Sequence, residues 1–143
     1  VGYSAGNAIP RASNSAVAPV PTAEAPARST RKTKLVRSDM RRSIILPQSS
    51  VQYQMITPDI NSKLQVILIK AEEGSTSGEA PFEHEGEECF LILEGKVEMT
   101  VGDEVFSLEP GDSLYFACDQ PHRRKNTGPG PVSMLLVVTP PSY

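Results

Sequence analysis

Tryptophan is missing from this sequence, histidine and cysteine occur only twice each, and no apolar run comes near the length of a membrane span. Each shortage excludes something. A bilayer-crossing helix needs about 20 consecutive apolar residues, so the chain is expected to be soluble. Cys89 and Cys118 have no framework spacing and fall in or beside expected strands, so they read as buried free thiols in a reducing cytoplasm. No secretory signal pattern follows the first residue. That residue is Val rather than Met, and the chain is expected to be the later portion of a longer one. At 143 residues with 38% hydrophobic content, it can build one proper core but not two.

Proline and glycine, in contrast, are plentiful. There are 13 prolines and 10 glycines, and most of the glycines lie beyond residue 70, which fits strands joined by frequent turns better than helices. Charge is divided just as unevenly. Residues 1–45 carry eight Lys or Arg against Glu24 and Asp39, a net of +6, whereas residues 46–143 carry six against fifteen, a net of −9. The acidic part would repel phosphates, so direct nucleic-acid binding by it is not expected.

Residues 1–34 are rich in Ala, Pro, Ser and Thr without an apolar period, and read as a linker or arm. A basic stretch overlaps their end, from Arg28 and Arg31 through Lys32, Lys34 and Arg37 to Arg41 and Arg42. It is either a solvated charge run or the tail of a neighbouring DNA-binding domain. The expected division is an irregular arm over 1–42 and a folded domain over 43–143. From Ser43 strand signals follow one another: 43–46, 51–56, 63–70, 89–93, 96–101, 104–108, 113–116, 122–125 and 132–138. Leu64, Val66 and Leu68 share one face of the third, whose second half is also apolar on the other face. The continuous CFLIL of the fourth reads as a strand covered on both faces. Nine short strands and no helix predict an all-β sandwich or barrel.

The chemistry concentrates in two segments. His84 is followed by Glu88 after three residues and Gly95 after six more; Pro110-Gly111 leads to His122 and, three residues further, Asn126. Alternation along a strand puts Phe82 and His84 on one face, with Glu88 arriving after the Glu85-Gly86-Glu87 turn and His122 from another strand. Two imidazoles and one carboxylate suffice to hold one divalent metal, with zinc, iron, manganese and nickel all open, and with water completing the coordination. Alternatively, His84 and Glu88 bond each other or a water beside a metal-free organic ligand. Glu83, Glu85 and Glu87 alternate away from the pocket and read as a solvated turn. Phe82, Phe90, Ile92, Tyr115 and Met134 are the candidate ligand-contacting side chains, each equally compatible with plain core packing.

This pattern resembles the two motifs of the cupin superfamily, HxH(x)3–4E(x)6G and PxG…H(x)3N, and both histidines of the chain fall on motif positions. Two departures stand out. Phe82 takes the place of the family's first histidine, and Gly111 follows Pro110 with no residue between. The VRSDMRR stretch, YQMITPDINSKLQV, HEGEECFLILEGKVEMTVGDEVFSLEPGDSLYF and the closing VVTPPSY resemble, more narrowly, the carboxy-terminal sensor half of bacterial regulators that join an XRE-type helix-turn-helix to a cupin. The resemblance covers roughly residues 36–143. It implies a jelly-roll barrel that binds a small-molecule effector, a homodimer, and DNA binding only through a helix-turn-helix that this chain does not contain. The other reading is a small metal-dependent cupin enzyme, a dioxygenase, isomerase or lyase. No general base stands out beyond the metal-ligand set, which favours the regulator.

Overall fold

The computed structural model describes residues 32–46 and 49–142; of the arm expected over residues 1–42, residues 1–31 lie outside them. Nine strands follow a single 3-10 turn at Ser38–Met40: β1 Ser43–Leu46, β2 Val51–Met55, β3 Gln65–Ala71, β4 Glu87–Glu94, β5 Val97–Val101, β6 Glu104–Leu108, β7 Ser113–Ala117, β8 His122–Lys125 and β9 Val132–Thr139. They form a six-stranded sheet, in the order β1-β2-β3-β9-β4-β7, and a three-stranded sheet, in the order β6-β5-β8. The two pack face to face as an all-β sandwich, as the alternation and turn spacing predicted, and their order is consistent with the jelly roll that the cupin resemblance implied, although the sheets do not close into a barrel.

The core is the inward row of each strand. On β3 it is Gln65, Ile67, Ile69 and Ala71 that are buried, while the face of Val66 and Leu68 is the outer one. Sequence alternation could not decide this, because both faces of the strand are apolar. The same holds for β4: Phe90 and Ile92 are buried, but Leu91 and Leu93 are exposed, so among the described residues the strand is covered on one face only. Val97, Met99 and Val101 of β5 and Met134, Leu136 and Val138 of β9 complete the interior.

Register sets the rows that matter for function. Gln65 pairs with Val138, Val138 with Glu88, and Glu88 with Phe116, which lines these four up across the large sheet. On the small sheet, Val101 pairs with His122 and Met99 with Arg124. The 72–86 segment runs along the otherwise free edge of β8 and is bridged to it at Thr76–Lys125 and Phe82–His122. The basic stretch ends anchored, with Lys34 2.6 Å from Asp59 and Arg41 bonded to Gln54. No described helix is long and apolar enough to cross a membrane.

Candidate metal centre and neighbouring groove

The site starts from a turn. Gly86 holds φ +107, and a Cβ there would run into the Thr139 carbonyl, so only glycine fits. The chain then enters β4 with Glu88 inward, 1% exposed, and Glu87 outward. Upstream, the Phe82 and His122 backbones exchange hydrogen bonds of 2.8 and 2.9 Å, and His84 N donates to the Cys118 carbonyl. These bonds suspend His84 between β8 and the end of β7. His122 is inward on β8 and 4% exposed.

Three side chains meet there. His84 Nε2 is 3.1 Å from Glu88 Oε1, His122 Nε2 is 3.7 Å from Glu88 Oε2, and one ligand atom from each residue lies within 4.8 Å of the others. The second distance is beyond hydrogen-bonding range, and buried His122 Nε2 has no hydrogen-bond partner among the described residues. Each ring is oriented from behind: His84 Nδ1 is 2.8 Å from the Glu85 carbonyl, and His122 Nδ1 is 2.9 Å from the Gln120 carbonyl. A carbonyl only accepts, so each Nδ1 carries a proton, and each Nε2 faces the Glu88 carboxylate, as an N–H when the ring is protonated and as a lone pair when it is not. Lone pairs facing a carboxylate repel unless a proton or a cation lies between them. Metal-binding histidines are held by the same kind of backbone contact at the distal nitrogen. The donor set therefore fits a divalent cation.

Without a metal, a proton does the same work. Burial alone would lower the pKa of His122, but the Glu88 carboxylate and the Gln120 carbonyl outweigh it and Arg124, and the net shift is upward. Cys118 is fully buried close by. Burial, reinforced by Glu88 and the neighbouring acids, pushes its thiol up to about 12, so it is chemically inert.

Aromatic rings wall the site: the Phe116 and Phe82 rings lie 4.9 and 6.2 Å from that of His122. The structure thus brings together four sequence-predicted residues, Phe82, His84, Glu88 and His122. Phe90, Ile92 and Met134 are fully buried in the core beneath them. Tyr115 is not brought in. The two-residue period of β7 turns Phe116 inward and leaves Tyr115 outward, 62% exposed, where its hydroxyl donates to the Glu87 carboxylate. That bond raises the Tyr115 pKa above its ordinary value. Tyr115 instead borders a groove of about 350 Å³, lined also by Val101, Phe106, Leu114 and Phe116. Phe116 stands between this groove and His122.

Sequence reasoning missed two inward polar residues. Gln65 is buried in the Glu88 row, and Arg124 is buried across the core, donating to the Tyr53 hydroxyl at 2.6 Å with its guanidinium over that ring. A glutamine in an apolar run was one available signal. The inward period of HRRK, which puts Arg124 on the same face as His122, was another.

This fold and this donor set are those of a cupin. The family model described as Cupin domain matches residues 67–138, half of the sequence, and the chain belongs to that family. An uncharacterized protein of Methanocaldococcus jannaschii, MJ1618, is 29% identical over 104 residues, covering 72% of this chain and 83% of that one. The HTH-type transcriptional regulator PuuR of Escherichia coli is 30% identical over 83 residues, covering 58% of this chain; the chain spans 44% of PuuR. Among solved structures, the Cupin_2 domain of an XRE family transcriptional regulator from Enterobacter cloacae superposes with a TM-score of 0.57 at 26% identity, over 65% of this chain and 99% of that one.

Proposed function

We propose that this chain is the effector-sensing cupin of a bacterial transcription regulator, acting in the cytoplasm as a homodimer with one divalent metal held by His84, Glu88 and His122. The observation that carries the metal is the pair of Nε2 atoms turned on one buried carboxylate, each ring held by a backbone carbonyl at its Nδ1. The regulator reading is supported by the similarity to PuuR and to the cupin of the Enterobacter cloacae regulator. DNA binding belongs to a separate helix-turn-helix domain, since the cupin part is acidic and offers a groove no recognition helix. The metal supplies a Lewis-acidic anchor for an oxygen-bearing effector. The chain's own groups do the rest: Phe116 divides the anchor from a groove that Leu114 and Tyr115 line together with Glu104 and Gln120, and Phe82 narrows the site where a third imidazole would otherwise bind. An enzymatic role is disfavoured, because among the described residues of the site no imidazole or carboxylate remains to move protons once the three ligands are engaged.

Elemental analysis tests the metal directly. The wild type is expected to retain close to one divalent ion per chain after dialysis, His84→Ala none, and Phe82→His to hold it more tightly, because it adds a donor on the face His84 occupies. Equal and negligible metal in the wild type and in Phe82→His would reduce the site to a metal-free organic pocket.

A further inference from the structure

The core holds a positive charge that the metal centre does not account for. Arg124 is 6% exposed, and its guanidinium crosses the interior from β8 to β2. An arginine cannot shed its proton to escape burial, as a lysine can. A buried charge without a partner of opposite sign is costly. Among the described residues no such partner is supplied: their ion pairs involve Lys34, His84, Lys96 and His122, not Arg124. Tyr53 gives the guanidinium one hydrogen bond at 2.6 Å and a ring face 5.6 Å away, but no negative charge.

The same interior holds His84, Glu88 and His122. His122 and Arg124 share the inward row of β8, about 7 Å apart along the strand. The Arg124 charge is felt at His122, where it opposes protonation. A divalent ion on two neutral imidazoles and the Glu88 carboxylate would keep one uncompensated positive charge, and Arg124 adds a second. We propose that the effector is a small organic dicarboxylate, one carboxylate received by the Arg124 guanidinium and the other by the metal. The inference rests on the metal-centred sensing site argued above and names the class of ligand it takes. A planar carboxylate matches the guanidinium fork through paired N–H···O bonds, and a short carbon chain spans the distance between the two anchors. The free space beside Arg124 is on the same scale. It is a cavity of about 10 Å³, walled also by Ser75, Thr76 and Asn126. That is room for little more than a water-sized group, which favours a flat carboxylate over a bulkier tetrahedral phosphate.

The full chain, supplied with zinc, is titrated calorimetrically with malonate, succinate and glutarate, each beside its neutral diamide, and with inorganic phosphate. Arg124→Met is titrated alongside. At least one of the acids should bind the wild type, and its diamide should not. Arg124→Met should bind that acid about thirtyfold more weakly or worse, the loss that follows when one partner of a buried charge pair is removed. Without ligand, Arg124→Met should melt no lower than the wild type, because an apolar chain of similar length replaces an uncompensated buried charge. Elemental analysis of the same samples keeps the two readings apart. A wild type that holds its metal yet binds no acid more tightly than its diamide overturns the dicarboxylate and leaves the metal centre standing. A wild type that holds no metal while binding an acid through Arg124 keeps the guanidinium contact and overturns the metal centre. Equal binding by the wild type and Arg124→Met, tighter binding of phosphate than of any acid, or an Arg124→Met that melts well below the wild type would each overturn the proposal.

Discussion

At the scale of single residues, a proton and the proposed metal would compete for the same three side chains. The pKa of His122 is raised from the ordinary 6.5. A raised folded-state pKa means that the protonated pair with Glu88 adds its full stability below about 6.5 and loses it as pH rises through the folded value. The metal-free protein, prepared with chelator, should therefore melt at lower temperature as pH is raised across that window. The metal form should behave oppositely. Both imidazoles must be neutral to ligate, so metal affinity falls as pH drops, and the fall begins above 6.5 because His122 holds its proton longer. Thermal melts with chelator and with added metal check both slopes. Parallel slopes would mean that the metal does not use His122.

At the scale of strands and loops, the second motif's asparagine has a structural task. Asn126 is buried, donates to the carbonyls of Ala71 and Gly130, and accepts from Gly128 N. It clamps the 126–130 loop to the end of β3 and thereby sets where β8 leaves off and β9 begins. Asn126→Ala would remove the partner of one buried and two part-buried backbone groups, costing about 2–3 kcal/mol, or a fall of some 10–20 °C in Tm for a domain this size. Metal content should survive, since no ligand is touched. Tyr53→Phe is a milder case in the same class: it removes the hydroxyl that receives the Arg124 guanidinium across the core. A cost of about 1–2 kcal/mol is expected in a denaturant melt.

At the scale of the whole molecule, charge separates the front of the chain from the cupin. The +6 of residues 1–45 can attract phosphate only through counterion release, which carries no sequence information. Retention of the chain on DNA should thus be weak, indifferent to sequence, and lost by about 0.2–0.3 M salt. Tight, sequence-selective retention at physiological salt would place a reading element within these 143 residues.

The amino-acid sequence by itself determined the strand count, the turns and the meeting of His84, Glu88 and His122 in a group that could hold a metal. Period-two apolarity and glycine or proline punctuation act locally, and His84, Glu88 and His122 stood at spacings that one strand entry and one return strand bring together. Which face of β3 and β4 turns inward was settled only by tertiary structure, because both faces are apolar and period two alone does not choose between them. The outward turn of Tyr115 has a related cause: Leu114, Tyr115 and Phe116 are all large and apolar enough for a core, and pairing with β4 decided which of them entered it. The orientation of the two imidazole rings at the site likewise depends on the Glu85 and Gln120 carbonyls, backbone groups whose direction no side-chain pattern encodes.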